Sequence, residues 1–178
     1  MDLHTENLNL RYSNHKISCE PMQSASISLL KKTLENYDSP ELIALCLRMA
    51  KYKKDNKELL SYLLFDEKDK EGYIQTIKME MDDEFDGINT SSYYFIKKSV
   101  RKILRTLKKH IRYTQSRQVE VELILYWCSK MRTMQPPYEK NVALANLYDR
   151  QIALIDKSLK TLDPDLQYDY QQEIEKLS

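Results

Sequence analysis

Two glycines, Gly72 and Gly87, are all that a chain of 178 residues contains. Tight turns call for backbone at positive φ, which glycine adopts without steric strain. With so few glycines and only 5 prolines, the chain must be built from long regular elements joined by short polar loops. Apolar residues recur at steps of three and four and nowhere alternate long enough for a strand. The expected fold is therefore all-α, with about eight helices in a single bundle. The alternative is a short stack of antiparallel helix pairs, α-solenoid-like, which two helices with apolar residues on both faces would also suit. No self-similarity at a period of about 33 to 47 residues favours the stack.

Residues 1–22 lack helical periodicity and read as an irregular or flexible arm, ahead of a single helical domain over 23–178. Ile27, Leu30, Leu34 and Tyr37 line a first helix. Ser39 offers a hydroxyl N-cap to a second, with Pro40 at its first position and Glu41 in its first turn. That helix carries one face of Leu42, Leu45, Cys46 and Met49 and another of Ile43, Leu47 and Ala50, which predicts cover on two sides. Asp55 and Glu58 have the spacing of a capping box before a short, buried third helix over 59–65.

Tyr73, Ile74, Ile77, Met81, Phe85 and Ile88 trace a fourth helix, and Ile96, Val100, Ile103, Leu104, Leu107 and Ile111 a fifth. The sixth, from about Ser116 to Met134, is apolar nearly all round and belongs in the middle. Pro136 and Pro137 break it. A seventh helix carries Leu144, Tyr148, Ile152, Ile155, Leu159 and Leu162, and a last one Leu166, Tyr170, Ile174 and Leu177.

The 28 Lys and Arg nearly cancel the 27 Asp and Glu, so any electrostatic role must come from local segregation. Cys19, Cys46 and Cys128 have no paired spacing and read as reduced thiols, the latter two in the core. No secretion or lipidation pattern opens the chain, and no apolar run approaches the ~18 residues of a membrane span. The expectation is a cytoplasmic protein without a membrane partner.

Segregation is found on the fifth helix. Lys97, Lys98, Arg101, Lys102, Arg105, Lys108, Lys109 and Arg112 occupy the side opposite its apolar stripe, and no acid occurs between Gly87 and Val119. An ordinary solvated helix mixes signs through i to i+4 pairs. Such a face can track a phosphate backbone, with Tyr93, Tyr94 and Tyr113 as stacking platforms. Alternatively, it can be neutralised by acids of the same chain or of a second copy. Two clusters are available, one around Asp82, Asp83, Glu84 and Asp86 and one around Asp163, Asp165, Asp169, Glu173 and Glu175.

Other signals are weaker. Asp82, Glu84, Asp86 and Gly87 imitate the opening of an EF-hand loop, but its twelfth position is Tyr93, which has no carboxylate to give. His110 has Thr106 and Thr114 four residues away, no chelating partner, and reads as a surface histidine among lysines. Glu120 falls on the crowded side of the sixth helix and requires a cationic partner from the fifth or seventh helix, or a raised pKa. The late tyrosines, Tyr138, Tyr148, Tyr168 and Tyr170, read equally well as interface anchors or as core-edge rings. No di-iron, phosphate-loop or nucleophile motif is present, so no catalytic residue, metal or cofactor is expected.

The runs KDNKELLSYLLFDEKDKEGYI, YYFIKKSVRKILRTLKKHIRY and NLYDRQIALIDKSLKTLDPDLQYDY resemble a family of uncharacterised all-helical proteins of the Bacteroidetes, over about Leu34 to Tyr170. The resemblance implies a cytoplasmic bacterial helical protein and transfers no functional residue. The expected function is a non-catalytic interaction or scaffold module that binds a protein partner or itself through the segregated helix faces. The alternative is a nucleic-acid-binding regulator contacting phosphates through Lys97 to Arg112.

Overall fold

A computed structural model of the chain describes residues 24–177; the arm expected over 1–22, with Cys19, lies outside the described residues. These form α1 (Ile27–Leu34), α2 (Ser39–Tyr52), α3 (Lys54–Ser61), α4 (Lys70–Asp86), α5 (Tyr93–Thr114), α6 (Arg117–Thr133), α7 (Val142–Leu159) and α8 (Pro164–Lys176), with no strand among them. The protein is all-α. It divides into two units inside α2, between Leu45 and Cys46.

In the first unit, the Ser26 hydroxyl caps α1 by accepting the Leu29 N–H at 3.2 Å. Asp38, one residue ahead of the expected Ser39, caps α2. Its carboxylate accepts the Glu41 N–H at 2.8 Å, and Glu41 accepts the Asp38 N–H at 3.0 Å. An ionised acceptor makes the stronger bond to an orphan N–H, which favours Asp38 over the hydroxyl. Neither α1 nor α2 contains a buried residue, so the expected two-sided cover of α2 is not found among the described residues. Apolar faces mark where burial would stabilise, and other segments decide whether a neighbour is there. Cys46 is likewise exposed rather than core.

In the second unit, α3 has no buried residue and no side-chain cap, and the expected Asp55–Glu58 box does not form. Glu58 turns instead to Lys109, because a cation is a better partner for a carboxylate than a backbone amide. The apolar run then widens into a π-helical turn over Tyr62–Asp66, closed by Glu67 N–H to the Tyr62 carbonyl at 2.9 Å. Only Tyr62 is buried there; Leu63, Leu64 and Phe65 are exposed.

Helix α6 is central to this unit and packs on α4, α5, α7 and α8. Val121, Leu123, Ile124, Trp127, Cys128 and Met131 have 0% exposure, as the all-round apolar pattern requires. One helix touching four others is bundle packing; in a stack each pair meets only its neighbours. The whole stripe of α5 from Ile96 to Ile111 joins the same core, and each such side chain contributes roughly 1.5–3 kcal/mol by leaving water. Tyr138 and Tyr148 stack with ring centroids 4.6 Å apart inside it, while Tyr168 stays exposed.

The joint between α5 and α6 fixes where the basic side of α5 lies. Gln115, at φ 50°, ends α5 in the left-handed region, and Ser116 caps α6 by accepting the Val119 N–H at 3.4 Å. No helix among the described residues is long and apolar enough to cross a membrane.

Candidate anion-binding face

With the stripe of α5 buried, its eight cations lie off that stripe, exposed or half-buried, and their state depends on where the acids go. From the acidic end of α4, Asp82 meets Lys130 at 2.8 Å and the Tyr126 hydroxyl at 2.8 Å, both on α6. Lys130 and Tyr126 hold the Asp82 carboxyl below its ordinary pKa against the opposing effect of desolvation. Glu84 reaches Lys102 at 2.9 Å. From α3, Glu58 bonds Lys109, and Asp55 lies 4.0 Å from the same ammonium. In the C-terminal cluster, Glu173 pairs within α8 with Lys176.

Among the described residues, Lys97, Lys98, Arg101, Arg105, Lys108 and Arg112 therefore have no carboxylate within 4.0 Å. Among the described residues, internal pairing reaches only Lys102 and Lys109 of the eight.

Of the two ion pairs made by α5, that of Lys109 is the more enclosed. Its side chains are 20% and 26% exposed, and the Tyr113 hydroxyl donates to Glu58 at 3.2 Å. Desolvation pushes the Glu58 carboxyl up, but Lys109, Tyr113 and Lys54 outweigh it and hold the pKa below its ordinary value. Burial, reinforced by Glu58, raises the Tyr113 phenol to about 12. Tyr113 is thus a buried structural ring, and Tyr93 is half-buried with its hydroxyl on the Pro137 carbonyl at 2.8 Å. Of the three expected stacking platforms, only Tyr94 is open, 67% exposed and edge-on to Phe95.

Four of the six unpaired cations flank a groove between α5, α6 and α7 of ≈ 480 Å³. Arg101, Arg105, Lys108 and Arg112 line it with Leu104 and Ile111, Glu120 of α6 and Leu154 of α7. It adjoins a smaller hollow at the start of α6, around Gln115, Ser116 and Arg117. Leu154 is off the expected stripe of α7, and three helices are needed to make the groove, so no single periodicity reveals it.

Glu120 sits at the foot of the groove. Its cation comes from its own helix, Arg117 at 2.6 Å, rather than from the fifth or seventh, and α7 adds the Ser158 hydroxyl as donor at 2.9 Å. A residue one turn away on the same helix is the nearest base. Desolvation lowers the Lys108 pKa, partly offset by the charge of Glu120.

His110 is half-buried, where the sequence suggested an exposed residue among lysines. Its position faces α4, where Nδ1 lies 2.8 Å from the Tyr73 hydroxyl and the Tyr113 ring stands edge-on with centroids 5.7 Å apart. Burial depresses its pKa, with Lys109 adding to the effect and Glu58 and Glu84 opposing it. Asp82 and Glu84, from the EF-hand-like segment, are taken by lysines, and no group of His, Cys, Asp and Glu among the described residues could hold a metal ion. Burial raises the Cys128 thiol to about 12, out of the range of a nucleophile.

No protein-family model, curated protein or solved structure matches the chain.

Proposed function

We propose that the chain is a non-catalytic helical interaction module that holds an acidic partner against the basic side of α5. The observation that carries this reading is the set of six cations on one helix face without a carboxylate partner among the described residues. Concentrated like charge opposes folding, and an acidic surface brought by a partner relieves it. A second copy of the chain can be that partner, since Asp165, Asp169 and Glu175 are exposed on α8. The reading places the protein in the cytoplasm, where Cys46 and Cys128 stay reduced.

A second reading is single-stranded nucleic acid, favoured by the open Tyr94 ring beside Lys97 and Lys98. An aromatic platform next to cations suits stacked bases. Binding of labelled poly-glutamate and labelled oligonucleotides, at low and physiological salt, separates the two. Poly-glutamate binding lost in an Arg101→Glu, Arg105→Glu variant supports the acidic-partner reading. Oligonucleotide binding alone, with a slope of about 0.7–0.9 per phosphate in log affinity against log salt, replaces it.

A further inference from the structure

We infer that the partner of α5 is an acidic amphipathic helix lying in the groove between α5 and the α6–α7 pair, with an apolar side chain seated against Leu154. This rests on the acidic-partner reading and narrows it to one kind of ligand.

Arg101, Arg105, Lys108 and Arg112 follow one another at steps of four, three and four. They form a single ridge of about three helical turns, roughly 16 Å at the α-helical rise. A ligand helix with carboxylates at the same steps places one opposite each cation, whereas a flexible acidic chain must be ordered to do so. The groove also has an apolar floor, formed by the edges of Leu104 and Ile111 and the half-buried Leu154. An amphipathic helix covers that floor, in the helix-in-groove mode of recognition. A polyphosphate leaves it unused.

Glu120 separates these ligands further. Its carboxylate, at the foot of the groove, is already bonded to Arg117 and Ser158. Its remaining negative field opposes a phosphate pressed into the floor but tolerates an apolar side chain there.

The test uses the full chain and two labelled synthetic peptides of identical composition, with labelled single-stranded DNA as a third probe. One peptide carries glutamates at steps of four, three and four beside a leucine stripe; the other is scrambled to abolish the stripe. The striped peptide is expected to bind about tenfold more tightly at physiological salt, to gain helical circular dichroism on binding, and to lose its advantage in Leu154→Gln. Both peptides should lose binding in the Arg101→Glu, Arg105→Glu variant. Equal binding of the two peptides to the native chain overturns the groove proposal while sparing the acidic-partner reading. So does an advantage that survives in a folded Leu154→Gln variant. Failure of both peptides to bind, with or without binding of DNA, overturns both. Because the peptide pair is compared on the native chain, the result stands even if the Leu154 variant does not fold.

Discussion

The Tyr73 hydroxyl on α4 lies 2.8 Å from Nδ1 of His110 on α5, joining two helices through a neutral polar pair beside the core. A neutral ring with its proton on Nε2 accepts the phenol's hydrogen. Because burial holds His110 below its ordinary 6.5, folded and unfolded chains are both neutral at this site above that pH, and the full stabilisation is present. As pH falls, the unfolded chain takes its proton first, so stability is lost through the window between 6.5 and the folded pKa. The thermal midpoint is expected to drop as pH falls below 6.5. His110→Gln should flatten part of that drop; an unchanged profile would remove His110 as its source.

The two ion pairs of α5 should differ in strength. Lys109→Met leaves the half-buried Glu58 with only the exposed Lys54 ammonium at 3.5 Å and the Tyr113 hydroxyl, and is expected to destabilise by about 1–3 kcal/mol. Lys102 is 63% exposed, so Lys102→Met should lose no more than about 1 kcal/mol in solvent-screened surroundings. Urea unfolding at neutral pH ranks the two, and equal losses would contradict the enclosure described for Glu58.

Arg105 stands one turn from Arg101, Lys102, Lys108 and Lys109, and like charges at this spacing each oppose the helix by about 0.2–0.5 kcal/mol. Arg105→Glu converts these repulsions to attractions. Stability is expected to rise by about 0.5–1 kcal/mol, with the thermal midpoint up by roughly 1–4 °C, even as acidic-peptide binding weakens. Added salt should narrow the gain. A loss of stability would mean that Arg105 has a structural partner.

Gln115 holds φ 50° at the end of α5, a conformation that strains a residue with a Cβ by about 1 kcal/mol. Gln115→Gly is expected to raise stability by about 0.5 kcal/mol once the greater freedom of the unfolded glycine chain is counted. Gln115→Val should lower it, since a β-branched side chain suits this region worst. Thermal melting of both variants checks the order.

The helical fold was legible because burial imposes its own period. The six apolar residues expected for α5 are all in the core, and the all-round apolar α6 is the helix with four neighbours. What could not be read depends on partners distant in sequence. Glu58 has the spacing of a capping residue, and its choice of Lys109 rests on α3 meeting α5. His110 looks like one more base in a basic run until α4 supplies Tyr73. The run over 59–65 is as apolar as a core helix, yet a π-helical turn leaves Leu63, Leu64 and Phe65 outside. For the candidate site, the cations were readable from periodicity alone. Which of them remain unpaired, and that Leu154 adjoins them, required the packing of three helices.

The enclosure of α6 by four helices also bears on how a ligand would arrive. Any outward swing of α4, α5, α7 or α8 would bring water onto side chains that have none, so α5 is held to a fixed frame. A ligand landing on its outer side meets a docking surface already in place, with no slow rearrangement to wait for. The association step is then governed by diffusion and by long-range attraction between opposite charges. Changes in ionic strength should register in the on-rate, and changes in the floor of the groove in the residence time.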